Sequence, residues 1–149
     1  MKTTRILPPR IFQAALLTLL LIHFLLPVFF LYDSPVRWIG LFPILAGIYL
    51  NLKSDALIKK HETTIKPFEK PSSLIEKGPF LLSRNPIYLG MVLIVFGGAV
   101  LSGSILGFLV PPVLGIVLHY IYILPEEQML QKCFQSEYLR YRKVVRRWI

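Results

Sequence analysis

Gly78-Pro79-Phe80-Leu81-Leu82-Ser83-Arg84-Asn85-Pro86-Ile87-Tyr88-Leu89-Gly90 is the stretch in which the chain passes from a charged, proline-rich connector into an apolar helix. Asn85 suits a helix N-cap and Pro86 the first helical position, where a missing N–H costs nothing and a fixed φ is already helical. The apolar run that begins here is one of four, at residues 11–31, 36–52, 87–101 and 105–124. An apolar helix of roughly 20 residues crosses a bilayer, so the first and last runs are long enough and the middle two are short. With a mean hydropathy of +0.59 over 149 residues, the blocks predict an all-α integral membrane protein. It should have about four transmembrane helices plus a cytosolic amphipathic C-terminal helix.

The basic residues set the orientation. Lys2, Arg5 and Arg10 precede the first run; Lys53, Lys59, Lys60, Lys66, Lys70, Lys77 and Arg84 lie between the second and third; Lys132, Arg140, Arg142, Lys143, Arg146 and Arg147 follow the fourth. Only Arg37 falls on the other side. By the positive-inside rule the protein is multi-pass with both termini and the central loop cytosolic, and the Asp33-Ser34-Pro35 and Ser102-Gly103-Ser104 turns outside. The net charge of +9 therefore sits mostly on one face, where anionic headgroups of membrane lipids are nearer partners than nucleic acid. The first run resembles a signal peptide in its basic start. Its length exceeds the usual ~7–15 residues, however, and Phe29-Phe30-Leu31-Tyr32 offers no small-residue cleavage site, so retention is expected. Cys133 is alone, which excludes a disulfide framework and a paired-cysteine metal site.

Along the chain, His23 stands by itself in an apolar run and reads as a packing residue, while Pro27 and Pro43 are expected to kink their helices. Asp55 precedes Lys59 by one turn in an amphipathic stretch that should carry the second helix into the headgroups. The prolines at 67 and 71 then block helix. Gly90 and Gly97 share a face and permit close helix packing. After Pro125, the residues Met129, Leu130, Phe134, Tyr138 and Tyr141 recur at helical spacing among charges; this helix should lie on the membrane surface or cap the cytosolic mouth.

The chemistry gathers at the cytosolic ends of the third and fourth spans. A helix N-terminus attracts a carboxylate or phosphate, and Arg84 just before it adds a bidentate donor. Tyr88 can offer its ring face to a cation, an attraction of roughly 0.5–2 kcal/mol. Glu126 and Glu127 sit where negative charge is disfavoured unless it meets a ligand's hydroxyls or amine, or pairs with Arg84. His119, seven residues before Glu126, shares its face on an α-helix and is a supporting candidate. A ligand with a carboxylate, a cationic centre and a ribose would suit the set; S-adenosyl-L-methionine has all three, and nucleotides or anionic lipids satisfy part. No metal cluster, phosphate-binding glycine loop, dinucleotide fingerprint or Ser/His/Asp order competes.

On Gly78-Pro79-Phe80, Arg84-Asn85-Pro86-Ile87-Tyr88, Glu126-Glu127, Phe134 and Glu137-Tyr138 through Tyr141, the chain resembles the isoprenylcysteine carboxyl methyltransferase family and its cousins, the phospholipid methyltransferases. The resemblance covers roughly residues 63–148. It implies a single membrane methyltransferase domain over 1–149, with a helical hairpin at 11–52 and the cofactor-binding region at 63–148. Carried over by position, Ser72, Ser73, Leu74, Ile75 and Phe80 would line the S-adenosyl-L-methionine site. Asn85, Pro86, Ile87 and Tyr88 would hold its amino-acid and sulfonium part, Glu126 the ribose end, and Glu127 would support the helix. Arg84 and Tyr122 are the residues expected to face an amphiphilic or lipid-like acceptor. Two positions depart from the prenylcysteine enzymes: Asn85 stands for their His, and Tyr122 for an Arg that grips a substrate carboxylate. A buried carboxylate without that cation would be costly, which argues against prenylcysteine as acceptor. Two other readings remain: an NADPH-dependent membrane reductase, since sterol reductases resemble this family near the C-terminus, and a non-enzymatic helical scaffold binding anionic lipid.

Overall fold

Within the described residues the four apolar runs are helical, and their helices begin at or beside a proline or glycine. A computed structural model describes residues 7–26, 31, 35–63 and 71–149. Lys2, Arg5, Pro27, the Asp33-Ser34 part of the first turn, and connector residues 64–70 lie outside them. Helix α1 spans Pro8–Leu25, with proline in its first turn. A 3-10 turn at Val36–Gly40 leads into α2, Leu41–Lys60, which continues past the apolar run as expected; Lys59 Nζ pairs with Asp55 Oδ2 at 2.6 Å. Short α3, Pro79–Leu82, follows Gly78, whose φ of 57° favours glycine. Helix α4 spans Pro86–Ser102 and closes on Gly103 in the left-handed region. A 3-10 turn, Leu106–Leu109, then leads into α5, Val110–Leu118. A π-helical turn at His119–Ile123 joins α5 to α6, Leu124–Val144.

Three helical stretches are long and apolar enough to cross a membrane: Pro8–Leu25, Val36–Lys60 and Leu106–Val144; Pro86–Ser102 is apolar but shorter. Outward-facing Phe24 and Phe42 are more than 70% exposed, as residues facing hydrocarbon would be. The all-α architecture matches the expectation from the sequence, and no strand occurs among the described residues.

Helix α4 is the centre of the bundle. It packs against α2 on one side and against α1 and α5 on the other. The two helices of the expected 11–52 hairpin each dock on α4. Leu19 of α1, Val95 and Ala99 of α4, and Leu114 and Leu118 of α5 form the buried core. His23 sits edge-on to Phe24, with ring centroids 5.1 Å apart.

The α2–α4 contact depends on four glycines in two facing pairs. A Cβ added to Gly47 would lie 2.5 Å from the Gly90 carbonyl oxygen, and one on Gly40 would lie 2.5 Å from that of Gly97. Gly90 and Gly97 were legible as a packing face; Gly40 and Gly47 repeat their seven-residue spacing on the partner helix. Without side chains the two backbones approach closely enough for dispersion and weak Cα–H···O contacts to act along the seam.

The third long stretch, at 39 residues, exceeds what a bilayer needs: at about 1.5 Å per residue, a core of roughly 30 Å takes about 20. Its far part is bent back at Gln135, where φ is 40° and ψ −112°. The amphipathic C-terminal helix is therefore a continuation of the fourth span, and after the bend it caps one end of the bundle.

Replacing Gly47 or Gly90 by valine should cost about 1–3 kcal/mol, the usual penalty for forcing atoms into a packed seam. Gly115→Ala, where the nearest atom to an added Cβ is 3.9 Å away, is expected to be neutral or stabilising. Thermal unfolding in detergent distinguishes the two classes.

Candidate functional site

The start of α1, the end of α2, the start of α4 and the start of α6 meet at one end of the bundle around a cavity of about 440 Å³. Arg84, Asn85, Pro86, Ile87, Tyr88 and Met91 form the α4 wall, and Glu126, Met129 and Leu130 the α6 wall. The connector contributes Ser73, Leu74, Ile75 and Phe80, with Tyr141 opposite. Leu7, Pro8, Pro9, Ile58, Thr63 and Pro71 complete the lining, so the site draws on both early helices as well as on residues 63–148. The first helical turn of α4 and the acidic start of α6 therefore face one shared space.

Within it, the Tyr88 hydroxyl donates to Glu126 Oε1 at 2.5 Å. Tyr122 stacks on Tyr88, with centroids 6.0 Å apart and planes 23° from parallel. Tyr122 is 1% exposed, so it stands behind Tyr88 in the core and not on the cavity wall. Its expected place facing an acceptor is corrected accordingly: it sets the angle of the Tyr88 ring.

The two neighbouring glutamates do different work. Glu127 turns away from the cavity and binds two guanidinium groups: Arg84 Nη2 at 2.9 Å, and Arg147 through Nε at 3.0 Å and Nη2 at 2.8 Å. The Arg84 and Glu127 side chains are 6% and 8% exposed, so this is a buried ion node. Arg84, expected to offer its whole fork to a ligand, spends one arm on Glu127. Its Nε is buried without a hydrogen-bond partner among the described residues. Glu127, expected among the cofactor-site residues, braces the two arginines and does not line the cavity.

Asn85 occupies the N-cap position, but its side chain does not cap α4. Its Nδ2 donates instead to the Arg147 carbonyl at 3.0 Å, which also accepts from Ser83 Oγ at 3.1 Å. The backbone N–H of Arg84 donates to the Arg146 carbonyl at 3.0 Å. The first-turn N–H groups of α4 are thereby left uncapped beside the cavity. Ser72 also departs from expectation: its hydroxyl donates to the Glu62 carbonyl at 3.0 Å, and it is not part of the wall. Ser73, Leu74, Ile75, Phe80, Asn85, Pro86, Ile87, Tyr88 and Glu126 all are.

His119 is turned away from this site. It lies against Tyr120 and borders a separate apolar groove of about 430 Å³ with Trp148. The π turn adds a residue to one helical turn, so seven residues no longer bring His119 onto the face of Glu126.

Beyond the membrane-spanning part, burial pushes the Tyr138 hydroxyl up to about 12, with Glu127 adding to the effect, and raises Tyr141 likewise. Both phenols are neutral at physiological pH, and that of Tyr141 donates to the Phe80 carbonyl. The hydrogen bonds from Arg147 to Glu127 raise the Arg147 pKa further above its ordinary value. Arg147 is the principal residue that the sequence did not mark: it reads there as one more basic anchor.

Residues 36–137 match a protein-family model described as phospholipid methyltransferase, well over half of the chain. No curated protein and no solved structure gives a significant match.

Removing the shared partner of buried Arg84 and half-buried Arg147 leaves an uncompensated charge. Glu127→Ala should cost about 3–5 kcal/mol. Glu126→Gln, which can still accept from Tyr88, should cost no more than about 1 kcal/mol. Denaturant unfolding of the two variants in one detergent checks the contrast.

Proposed function

The chain is a member of the phospholipid methyltransferase family, and on that premise we propose that it transfers a methyl group from S-adenosyl-L-methionine to an amphiphilic or lipid-like acceptor. The observation that carries the proposal is the convergence of the α4 start and Glu126 on one cavity whose polar ends differ in sign.

The residues present fit such a cofactor. At one end, Arg84 holds a buried Nε–H with no partner among the described residues, next to the uncapped turn of α4; together they suit a carboxylate. At the other end, Glu126 accepts from Tyr88, and no guanidinium or ammonium pairs with it among the described residues. A carboxylate left so in an apolar wall favours a ligand that brings positive charge or hydroxyl donors. The Tyr88 ring, held by Tyr122, is placed to present a π face to a cation. The volume of about 440 Å³ falls within the range of small-molecule sites.

Bound there, S-adenosyl-L-methionine supplies an activated methyl group on a sulfonium centre. The protein's part is alignment and exclusion of water. Methyl transfer needs the reacting atoms about 3–3.5 Å apart and in line, and fixing that geometry can supply much of the barrier lowering. Met91, Met129, Leu130 and Phe80 provide the apolar walls that keep water out. Glu126, with Tyr88 bonded to it, is positioned to take a proton from an acceptor that carries one. Cytosolic access to the cavity follows if the basic end of the bundle faces inward, as the charge distribution favours. Family membership supports this reading over a passive scaffold or a nicotinamide-dependent reductase.

Calorimetry in detergent is expected to show S-adenosyl-L-methionine binding that weakens at least tenfold, about 1.4 kcal/mol, in Glu126→Ala. Tyr88→Phe should weaken it less. Incubation with isotopically labelled methyl donor should label a lipid extract. No binding by the wild-type protein at millimolar cofactor would remove the basis of the proposal.

A further inference from the structure

Residues 136–149 reach back over the cavity from the break at Gln135. The φ of 40° and ψ of −112° there belong to a region that glycine tolerates and a residue with a Cβ does not. Gln135 is exposed, so its own side chain does not fix this conformation. Such strain persists only where surrounding contacts impose it, and those contacts lie on the inner face of the returning segment. Tyr138, Tyr141 and Val145 are buried there against Leu74 and Leu130. The Tyr141 hydroxyl donates to the Phe80 carbonyl at 2.6 Å, and Arg147 grips Glu127. Every one of these partners belongs to the cavity wall or stands directly behind it.

We propose that residues 136–149 form a hinged strap, with Gln135 as the hinge and Arg147 as the clasp, whose lifting opens the cavity to the small molecule it holds. That this molecule is the methyl donor rests on the reading above; the motion itself does not.

Three features make the open state accessible. Tyr141 is itself a wall residue, so the strap cannot lift without opening the site. The outer face, with Arg140, Arg142, Lys143 and Val144 exposed, has no packing to lose. The ion node is also asymmetric: the Arg147 side chain is 29% exposed, against 6% for Arg84. When water displaces Arg147, Arg84 still neutralises Glu127, so opening does not strand a buried carboxylate. Release of the hinge lets Gln135 return to helical geometry and extends α6. A ligand touching both Arg84 and Tyr141 would hold the strap down, because it bridges α4 to the inner face.

The test uses the full chain in detergent, carrying Cys133→Ser and the reporter Leu130→Cys, a wall position beneath the strap. Modification by a polar maleimide is followed without ligand. Arg147→Ala is expected to accelerate labelling at least tenfold. Gln135→Gly, which removes strain from the closed form while keeping every clasp contact, is expected to slow it severalfold. Circular dichroism and melting temperature verify that each variant is folded. Equal rates in the three folded proteins, or a faster rate in Gln135→Gly, would overturn the strap. Should Arg147→Ala not fold, the Gln135→Gly comparison decides alone. Saturating S-adenosyl-L-methionine should slow labelling; its failure to do so while the variants behave as expected counts against the donor reading and leaves the strap standing.

Discussion

The near contact of two helix backbones governs the rest of this structure. Gly40 and Gly47 of the α2 segment meet Gly97 and Gly90 of α4, and no side chain separates them. In hydrocarbon there is no hydrophobic drive to bring helices together, so close packing has to come from surfaces that fit. The seam fixes α4 against α2 along its length, and α1 and α5 then pack on the free side of α4. Because α4 is held so rigidly, its uncapped first turn keeps a set distance from the end of α2 and from α6. The cavity is the space left where these ends diverge.

Adjacent residues on one helix also separate two electrostatic tasks. Glu126 faces the cavity and bonds Tyr88, while Glu127, rotated about 100° around the axis, is consumed by Arg84 and Arg147. The buried ion node joins the loop before α4, the start of α6 and the C-terminal segment. Its stability value is modest, since desolvation offsets most of the attraction. Its structural value lies in fixing which way the loop runs and which face of α6 points inward.

Much of this was legible in the sequence. Pro86 at the start of α4, the extension of α2 through the Asp55–Lys59 pair, and the glycine face of α4 follow from local rules, and each appears where those rules place it. The convergence of Arg84 through Tyr88 with Glu126 also followed, because two spans with the same kind of flanking charge must end on the same side. What was hidden depends on tertiary contact or on departure from the α-helical period. Asn85 has the composition of a cap, but a carbonyl from Arg147 competes for its side chain. His119 was placed by counting 3.6 residues per turn across a π turn that breaks the count, and Tyr122 by the resemblance alone, which carries no sign of its packing behind Tyr88. The C-terminal segment turns back at Gln135, whose residue type gives no sign of a positive φ, because contacts further along the segment impose the bend.

The π turn has a further consequence for how this helix tolerates change in length. Such a turn amounts to one residue more than the α-helix requires, and deleting one residue from His119–Ile123 would restore the regular winding. Because the wide turn absorbs the surplus residue, downstream positions would keep their places: Glu126 would still meet Tyr88, and Glu127 would still meet both guanidinium groups. A deletion beyond Ile123, with the wide turn kept, would instead rotate both carboxylates off their partners. Loss of a single codon is thus harmless to the site at one point of this helix and ruinous a few residues further on.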